Sequence, residues 1–125
     1  MQPRLLPVLE KLKNAYLQWH GYHTTIDKTQ RYSIGNRIDA LFIESIEAIS
    51  QATFIARHEK EPWVRLAIRK LDTSKLLLQI LWETKSLETK RYIILSEKLD
   101  EVGKMLGGWR GQLIKLDPAK MRGEK

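Results

Sequence analysis

Histidines are the side chains of this 125-residue sequence whose spacing first suggests chemistry. His20 and His23 lie three residues apart, which places two side chains on one face of a helix and within reach of one metal ion. A protein zinc site needs three or four ligands, and no third ligand has a matching spacing. The sequence therefore predicts ordinary histidines and no metal site.

Acidic side chains offer no better catalytic arrangement. We expect the carboxylates of Asp39, Glu44 and Glu47 on the outer face of the second predicted helix, without the inward Glu-x-x-His pairs of bundles that bind two metals. The chain has no GxSxG motif, no phosphate-binding glycine loop and no cysteine, which excludes thiol catalysis and disulfides. We predict no catalytic residue, no cofactor and no enzymatic activity.

Positive charge is the strongest chemical feature of the chain. Lys and Arg number 22 against 15 Asp and Glu, a net charge of +7, and +4 of this excess lies from Gly103 onward. Basic proteins attract polyanions because binding releases counterions. A basic composition also serves solubility. Charge alone therefore leaves nucleic-acid binding and a merely solvated surface as alternatives.

Basic side chains recur at helical spacing. We predict that a phosphate at the start of the second helix contacts Arg31 and Arg37 together with free backbone N–H groups. The alternative is a solvated face, partly neutralised by Asp72 and Glu61. No helix-turn-helix, zinc-finger, RRM or KH signature is present, so we expect phosphate contacts without base reading. The candidate contacts are Arg31, Arg37, Arg65, Arg69, Lys70 and Lys75, followed by Lys104, Arg110 and Lys115.

Four segments carry apolar residues three and four positions apart, the period of an α-helix. Four such helices joined by short turns favour an all-α, antiparallel up-down-up-down four-helix bundle. We expect residues 1–116 to form this domain and residues 117–125 to be a charged, disordered tail. The predicted helices run from about Arg4 or Pro7 to Tyr22, from Gln30 to Arg57, from Trp63 to Thr84 and from Glu88 to Lys115.

Tryptophans are a possible second means of holding nucleic acid, because bases stack on aromatic rings. Trp19, Trp82 and Trp109 lie on the predicted core stripes, where packing is the more frequent role. Trp63 begins the third predicted helix and is not on such a stripe.

Glycines in the fourth predicted helix have an unusual spacing. Gly103, Gly107 and Gly111 are four residues apart, with Gly108 beside them, and each costs about 1 kcal/mol relative to alanine inside a helix. We expect them on the flank and back of the helix. One interpretation is packing against another subunit of a homo-oligomer, built by Gly103, Gly107, Gly108 and Trp109. The other is a kinked or frayed helix end.

Membrane association finds no support in the sequence. It contains no apolar run of the about 18 residues that a membrane span requires, and its start lacks the apolar region and cleavage site of a signal peptide. We expect a soluble, cytoplasmic protein.

Two stretches resemble a known family. Residues 28–38, KTQRYSIGNRI, resemble the opening of helix two in the accessory variability determinant (Avd) proteins of diversity-generating retroelements. Residues 99–109, LDEVGKMLGGW, resemble the final-helix signature of these proteins. The similarity extends from about Leu5 to Leu116. Bundle proteins encoded in intervening sequences of bacterial 23S ribosomal RNA genes share the pattern more loosely.

This resemblance implies a homopentameric barrel of four-helix bundles with a basic surface and no enzymatic activity. It implies binding of template-repeat RNA and cDNA and association with the reverse transcriptase of the element, which makes the basic residues above candidates for polymerase contact as well. Family members often carry two arginines four residues apart in helix three, where this chain has Lys75 and Gln79. The alternative is a structural bundle of the 23S intervening-sequence type without a nucleic-acid role.

Overall fold

A computed structural model describes residues 6–115, and within them every regular element is helical. The predicted tail, residues 117–125, lies outside the described residues. The helices are α1 (Pro7–His23), α2 (Lys28–Gln30), a π-helical segment (Arg31–Gly35), α3 (Asn36–Phe54), a 3-10 turn (Arg57–Glu59), α4 (Glu61–Glu83) and α5 (Thr89–Lys115).

The four long helices α1, α3, α4 and α5 form a ring in which each packs against two neighbours: α1 on α3, α3 on α4, α4 on α5, and α5 on α1. Neighbours run in opposite directions, because Trp82 near the end of α4 stacks on Tyr92 near the start of α5, while Glu61 contacts Arg110 at the other end. This arrangement confirms the predicted four-helix bundle. Within residues 6–115, no helix combines the length and apolarity needed to cross a bilayer.

The core consists of one apolar stripe from each long helix. In α5, Leu95, Leu99, Val102 and Leu106 are fully buried, as their spacing of three and four residues predicts, and Leu113 is nearly so. Each large aliphatic side chain buried in this way contributes about 1.5–3 kcal/mol to folding. Burial of these apolar stripes therefore stabilises the fold without a disulfide.

Local capping sets the helix ends around α3. The side chain of Asp27 caps α2, because it accepts a hydrogen bond from the backbone N–H of Gln30 at 3.4 Å. The second predicted helix was expected to reach Arg57, but α3 ends at Phe54. The ammonium group of Lys60 donates to the carbonyl oxygens of Ala52 and Thr53, so it neutralises the negative end of α3.

The π-helical segment departs from the predicted regular helix. Gly35 is buried in it, and a Cβ atom at this position would lie 3.0 Å from Cδ2 and Nε2 of His23. The imidazole Nε2 of His23 also lies 3.4 Å from the carbonyl oxygen of Arg31. Because glycine has no side chain, the last turn of α1 can pack directly against this segment at Gly35.

Helix α5 continues through its glycines to Lys115. A Cβ atom added at Gly103, Gly107, Gly108 or Gly111 would have no heavy atom within 4 Å. These glycines lie away from the core of the described chain, as the heptad pattern predicts. Trp109 is partly buried against that core.

Candidate nucleic-acid interface

Arg65 and Arg69 are exposed one turn apart on α4. Side chains four residues apart on a helix have Cβ atoms about 5–6 Å apart, so both guanidinium groups can reach adjacent phosphates. Arg65 Nε lies 3.9 Å from Glu61 Oε2, and Arg69 has no ion pair within residues 6–115. Of the four candidates on α4, these two are exposed, whereas Lys70 and Lys75 are half-buried.

Lys70 and Arg37 share one carboxylate between α3 and α4. Lys70 Nζ lies 2.8 Å from Glu44 Oε1, and Arg37 Nη1 lies 3.9 Å from Glu44 Oε2. The hydrogen bond from Lys70 holds the pKa of Glu44 below its usual range, and the positive charges of Lys70 and Arg37 reinforce the effect. Two positive charges against one negative charge leave this site with a net charge of +1.

Lys75 forms an ion pair between α4 and α5. Its ammonium nitrogen lies 2.8 Å from Asp100 Oδ1 on α5. Gln79, one turn further, is exposed and uncharged. At the two positions where the resemblance implies arginines, this chain therefore has one paired lysine and one uncharged glutamine.

Arg31 and Arg37 have different partners, so the structure does not bring them together on one phosphate. Arg31 Nη1 donates to the carbonyl oxygen of Thr24 at 3.2 Å, and its guanidinium carbon lies 5.1 Å from the ring centre of Tyr32. Arg37 instead faces Glu44. Six residues of regular α-helix already turn two side chains about 120° apart, so the spacing of Arg31 and Arg37 does not favour a shared phosphate.

Two further candidates on α5 are exposed. Lys104 and Lys115 have no ion pair with any residue that the structure describes, whereas Arg110 Nε lies 2.8 Å from Glu61 Oε2. Eleven residues of helix separate the two lysines by about 16 Å, so they act as separate charges. Lys104 directly precedes Met105 on the helix that carries the exposed glycines.

The prediction that Asp39, Glu44 and Glu47 share an outer face is wrong for Asp39. Asp39 does not lie on the outer surface, since its Oδ1 accepts a hydrogen bond from Trp19 Nε1 at 3.2 Å and lies 3.9 Å from His23 Nδ1. His23 stacks on Trp19 with ring centres 4.9 Å apart. In the described chain, no group of three or more His, Asp or Glu side chains is placed to hold a metal ion. These polar groups join α1 to α3.

One tryptophan differs from the sequence interpretation, and another agrees with it. Trp82, placed on a core stripe, is 36% exposed and stacks on Tyr92 with ring centres 5.0 Å apart. Trp63 is 38% exposed and lies beside Arg65 and Arg69. The exposure of Trp63 could be predicted from the sequence, because its helical position lies off the stripe formed by Val64, Ala67 and Leu71.

A groove lies at the end of the bundle where α1 begins and α5 ends. Its volume is about 520 Å³ and its lining is mainly apolar, with Val8, Met105 and Trp109 on the walls and Arg57 and Lys60 at the border. Among the described residues that line it, none is a carboxylate or a histidine. The groove therefore provides no acid–base pair.

The chain matches no protein-family model, no curated protein and no solved structure.

Proposed function

We propose that the protein is a nucleic-acid-binding accessory protein of a diversity-generating retroelement. It holds template RNA or cDNA and associates with the reverse transcriptase of the element during mutagenic cDNA synthesis. Support comes from the two Avd-like stretches, from the four-helix architecture and from the net charge of +7. The observation that carries the proposal is the exposed pair Arg65 and Arg69 on α4.

Arginine suits this role because its planar guanidinium group donates two parallel hydrogen bonds to one phosphate. Arg65 and Arg69 contact the backbone, which every sequence shares, so binding is independent of sequence. Lys70 and Lys104 add longer-range attraction, reduced at Lys70 by its ion pair with Glu44. About three phosphates are therefore neutralised at one time, which corresponds to a salt slope of about −2.7 on duplex DNA.

The homo-oligomer is part of the same proposal. A Cβ atom added at any glycine of α5 would contact no other helix of the described chain, and close approach of a second copy would use the surface that these glycines leave open. An assembly of several copies would also place several Arg65–Arg69 pairs on one nucleic-acid strand. Repeated weak contacts then raise the overall affinity through effective concentration.

A salt series tests this function. Binding of labelled single-stranded RNA and of duplex DNA is measured by fluorescence anisotropy from about 50 to 200 mM salt, where a protein that neutralises phosphates loses affinity steeply. The double variant Arg65→Gln, Arg69→Gln should reduce the duplex slope by about 1.8, since each lost contact removes about 0.9. Lys75→Gln is the control, because Lys75 already pairs with Asp100 and should leave the slope nearly unchanged. Absence of binding to both nucleic acids at low salt would refute the proposal.

A structural bundle of the 23S intervening-sequence type is the second candidate. It is favoured by the pairing of candidate cations with carboxylates, which reduces the charge available to phosphate. Such a protein would show no salt-dependent binding to RNA or DNA. The paired candidates are Arg37, Arg65, Lys70, Lys75 and Arg110.

A further inference from the structure

A small groove on the outer side of α4 combines one exposed aromatic ring with two arginines. Its volume is about 250 Å³, and it is lined by Pro62, Trp63, Arg65, Leu66 and Arg69. Each residue turns an α-helix by about 100°, so Pro62 and Leu66 lie between Trp63 on one side and the two arginines on the other. The groove thus has an apolar floor, an aromatic wall and a cationic wall.

We propose that this groove binds an unpaired nucleobase stacked on Trp63, with neighbouring phosphates held by Arg65 and Arg69. The ligand class is single-stranded nucleic acid, RNA or cDNA. This inference rests on the proposed function and adds to it a preference for single strands and a residue responsible for that preference.

The position of Trp63 favours a stacking role. Trp63 is 38% exposed, so part of the side chain is open to contact. It also lines a second groove between α3 and α4, together with Ala48, Leu66 and Lys70. Trp63 therefore borders open space on two sides, where a base can approach the indole ring.

The charges around Trp63 favour a polyanion over an apolar peptide. Arg65, Arg69 and Lys70 border the two grooves, and the acidic side chains there are Glu44 and Glu47. Lys70 and Arg37 already pair with Glu44, which leaves Glu47 as the exposed negative charge on the far rim. An apolar partner would bury the charge of Arg69, which has no ion pair within the described residues, and burial of an unpaired charge is costly.

Strand selectivity follows from the geometry of stacking. In a duplex, each base is covered on both faces by its neighbours, so no ring face is available to Trp63. In a single strand, a base can leave its stack and place one face on the indole ring. Arg65 and Arg69 contact phosphates of either form. Trp63 therefore contributes to single-strand binding alone, while the arginines contribute to both.

The test compares Trp63→Ala, Trp63→Phe and Leu76→Ala in the full chain. The probes are a labelled single-stranded oligoadenylate and a duplex DNA of equal length, in the same buffer. Leu76 is the matched control, because it is an exposed apolar residue (57%) further along the same helix. Thermal unfolding followed by circular dichroism establishes that each variant is folded.

Trp63→Ala should weaken single-strand binding about fivefold or more, since one stacked base contributes at least about 1 kcal/mol. Duplex binding should change by less than about twofold, and the salt slope should stay constant because no charge is removed. Trp63→Phe should retain most of the affinity, since phenylalanine keeps a ring. Leu76→Ala should affect neither probe.

Two results would overturn the inference. One is an equal loss, or no loss, on both probes while the wild type binds them. The other is a change in the sedimentation coefficient of Trp63→Ala, which would place Trp63 in contact with another copy of the chain. Failure of the wild type to bind either probe would refute the proposed function itself, so the two failures are distinguishable.

Discussion

Glu61 Oε2 and Arg110 Nε lie 2.8 Å apart, which joins the first turn of α4 to the last turns of α5. Glu61 is 3% exposed, so its carboxylate is removed from water and depends on charged donors. Arg65 Nε is 3.9 Å from the same oxygen and is more solvated. A buried acid thus ties together two helices that carry candidate phosphate-binding arginines.

Replacement of Arg110 by glutamine should lower the free energy of unfolding by about 1–3 kcal/mol, because the buried carboxylate loses a charged donor. Urea unfolding followed by circular dichroism measures the change. Arg65→Gln is the control and should cost less than about 1 kcal/mol, since exposed ion pairs contribute little. Equal losses in the two variants would show that Arg110 does not hold this carboxylate.

Gly35→Ala should destabilise the fold by about 1–3 kcal/mol through overpacking. The added methyl group would meet the ring of His23 at 3.0 Å and the carbonyl oxygen of Gln30 at 3.2 Å. The effect is measured by thermal and urea unfolding. Gly21→Ala is the matched control, because its Cβ would meet no heavy atom within 4 Å, and it should stabilise the helix by up to about 1 kcal/mol. A neutral Gly35→Ala would mean that the π-helical segment adjusts freely.

Gly107→Leu tests whether the glycine surface of α5 is an assembly interface. Within one subunit the leucine meets open space, so the unfolding free energy of the dissociated chain should not fall. In an oligomer packed through this surface, the side chain would force the copies apart. Sedimentation velocity over a concentration series should therefore show dissociation. Gly21→Leu, also in open space but on α1, should leave the assembly intact. A wild-type protein that sediments as a monomer at every concentration would contradict the oligomer.

Stability should depend on the ionisation of Glu44. Its pKa is lowered in the folded state, chiefly by the hydrogen bond from Lys70, so the ionised carboxylate stabilises the fold above its unfolded-state pKa. That contribution is lost as the pH falls through the folded-state pKa. The difference in unfolding free energy between the wild type and Glu44→Gln should be largest near neutral pH and vanish in acid. Because the side chain is 37% exposed, we expect less than about 1 kcal/mol.

Urea unfolding at a series of pH values measures this difference. Glu47→Gln is the control, since Glu47 is exposed and has no ion pair within residues 6–115. Its substitution should have a small effect without a comparable pH dependence. A Glu44→Gln difference that persists unchanged into acid would show that Lys70 and Glu44 do not interact as an ion pair in solution.

The sequence by itself determined the helical bundle and most of its core. A stripe of apolar residues such as Leu95, Leu99 and Leu106 has to be covered by some neighbour, whichever helix that is, so periodicity predicts burial without knowledge of the partner. Capping chemistry is equally local, since Asp27 accepts its hydrogen bond from Gln30, three residues further along the chain. The glycines of α5 were likewise placed off the core by their position relative to the same stripe.

Only the tertiary structure decided where the positive charges lie. Lys75 meets Asp100, and Arg110 meets Glu61, across helices whose relative rotation and shift are not encoded in any single segment. Long, flexible basic side chains reach whichever carboxylate this register brings close. The same register left Arg69 accessible beside Trp63. The charged surface available to a partner is therefore set by the packing of four helices, because charge pairing acts across them while hydrophobic periodicity acts along each one.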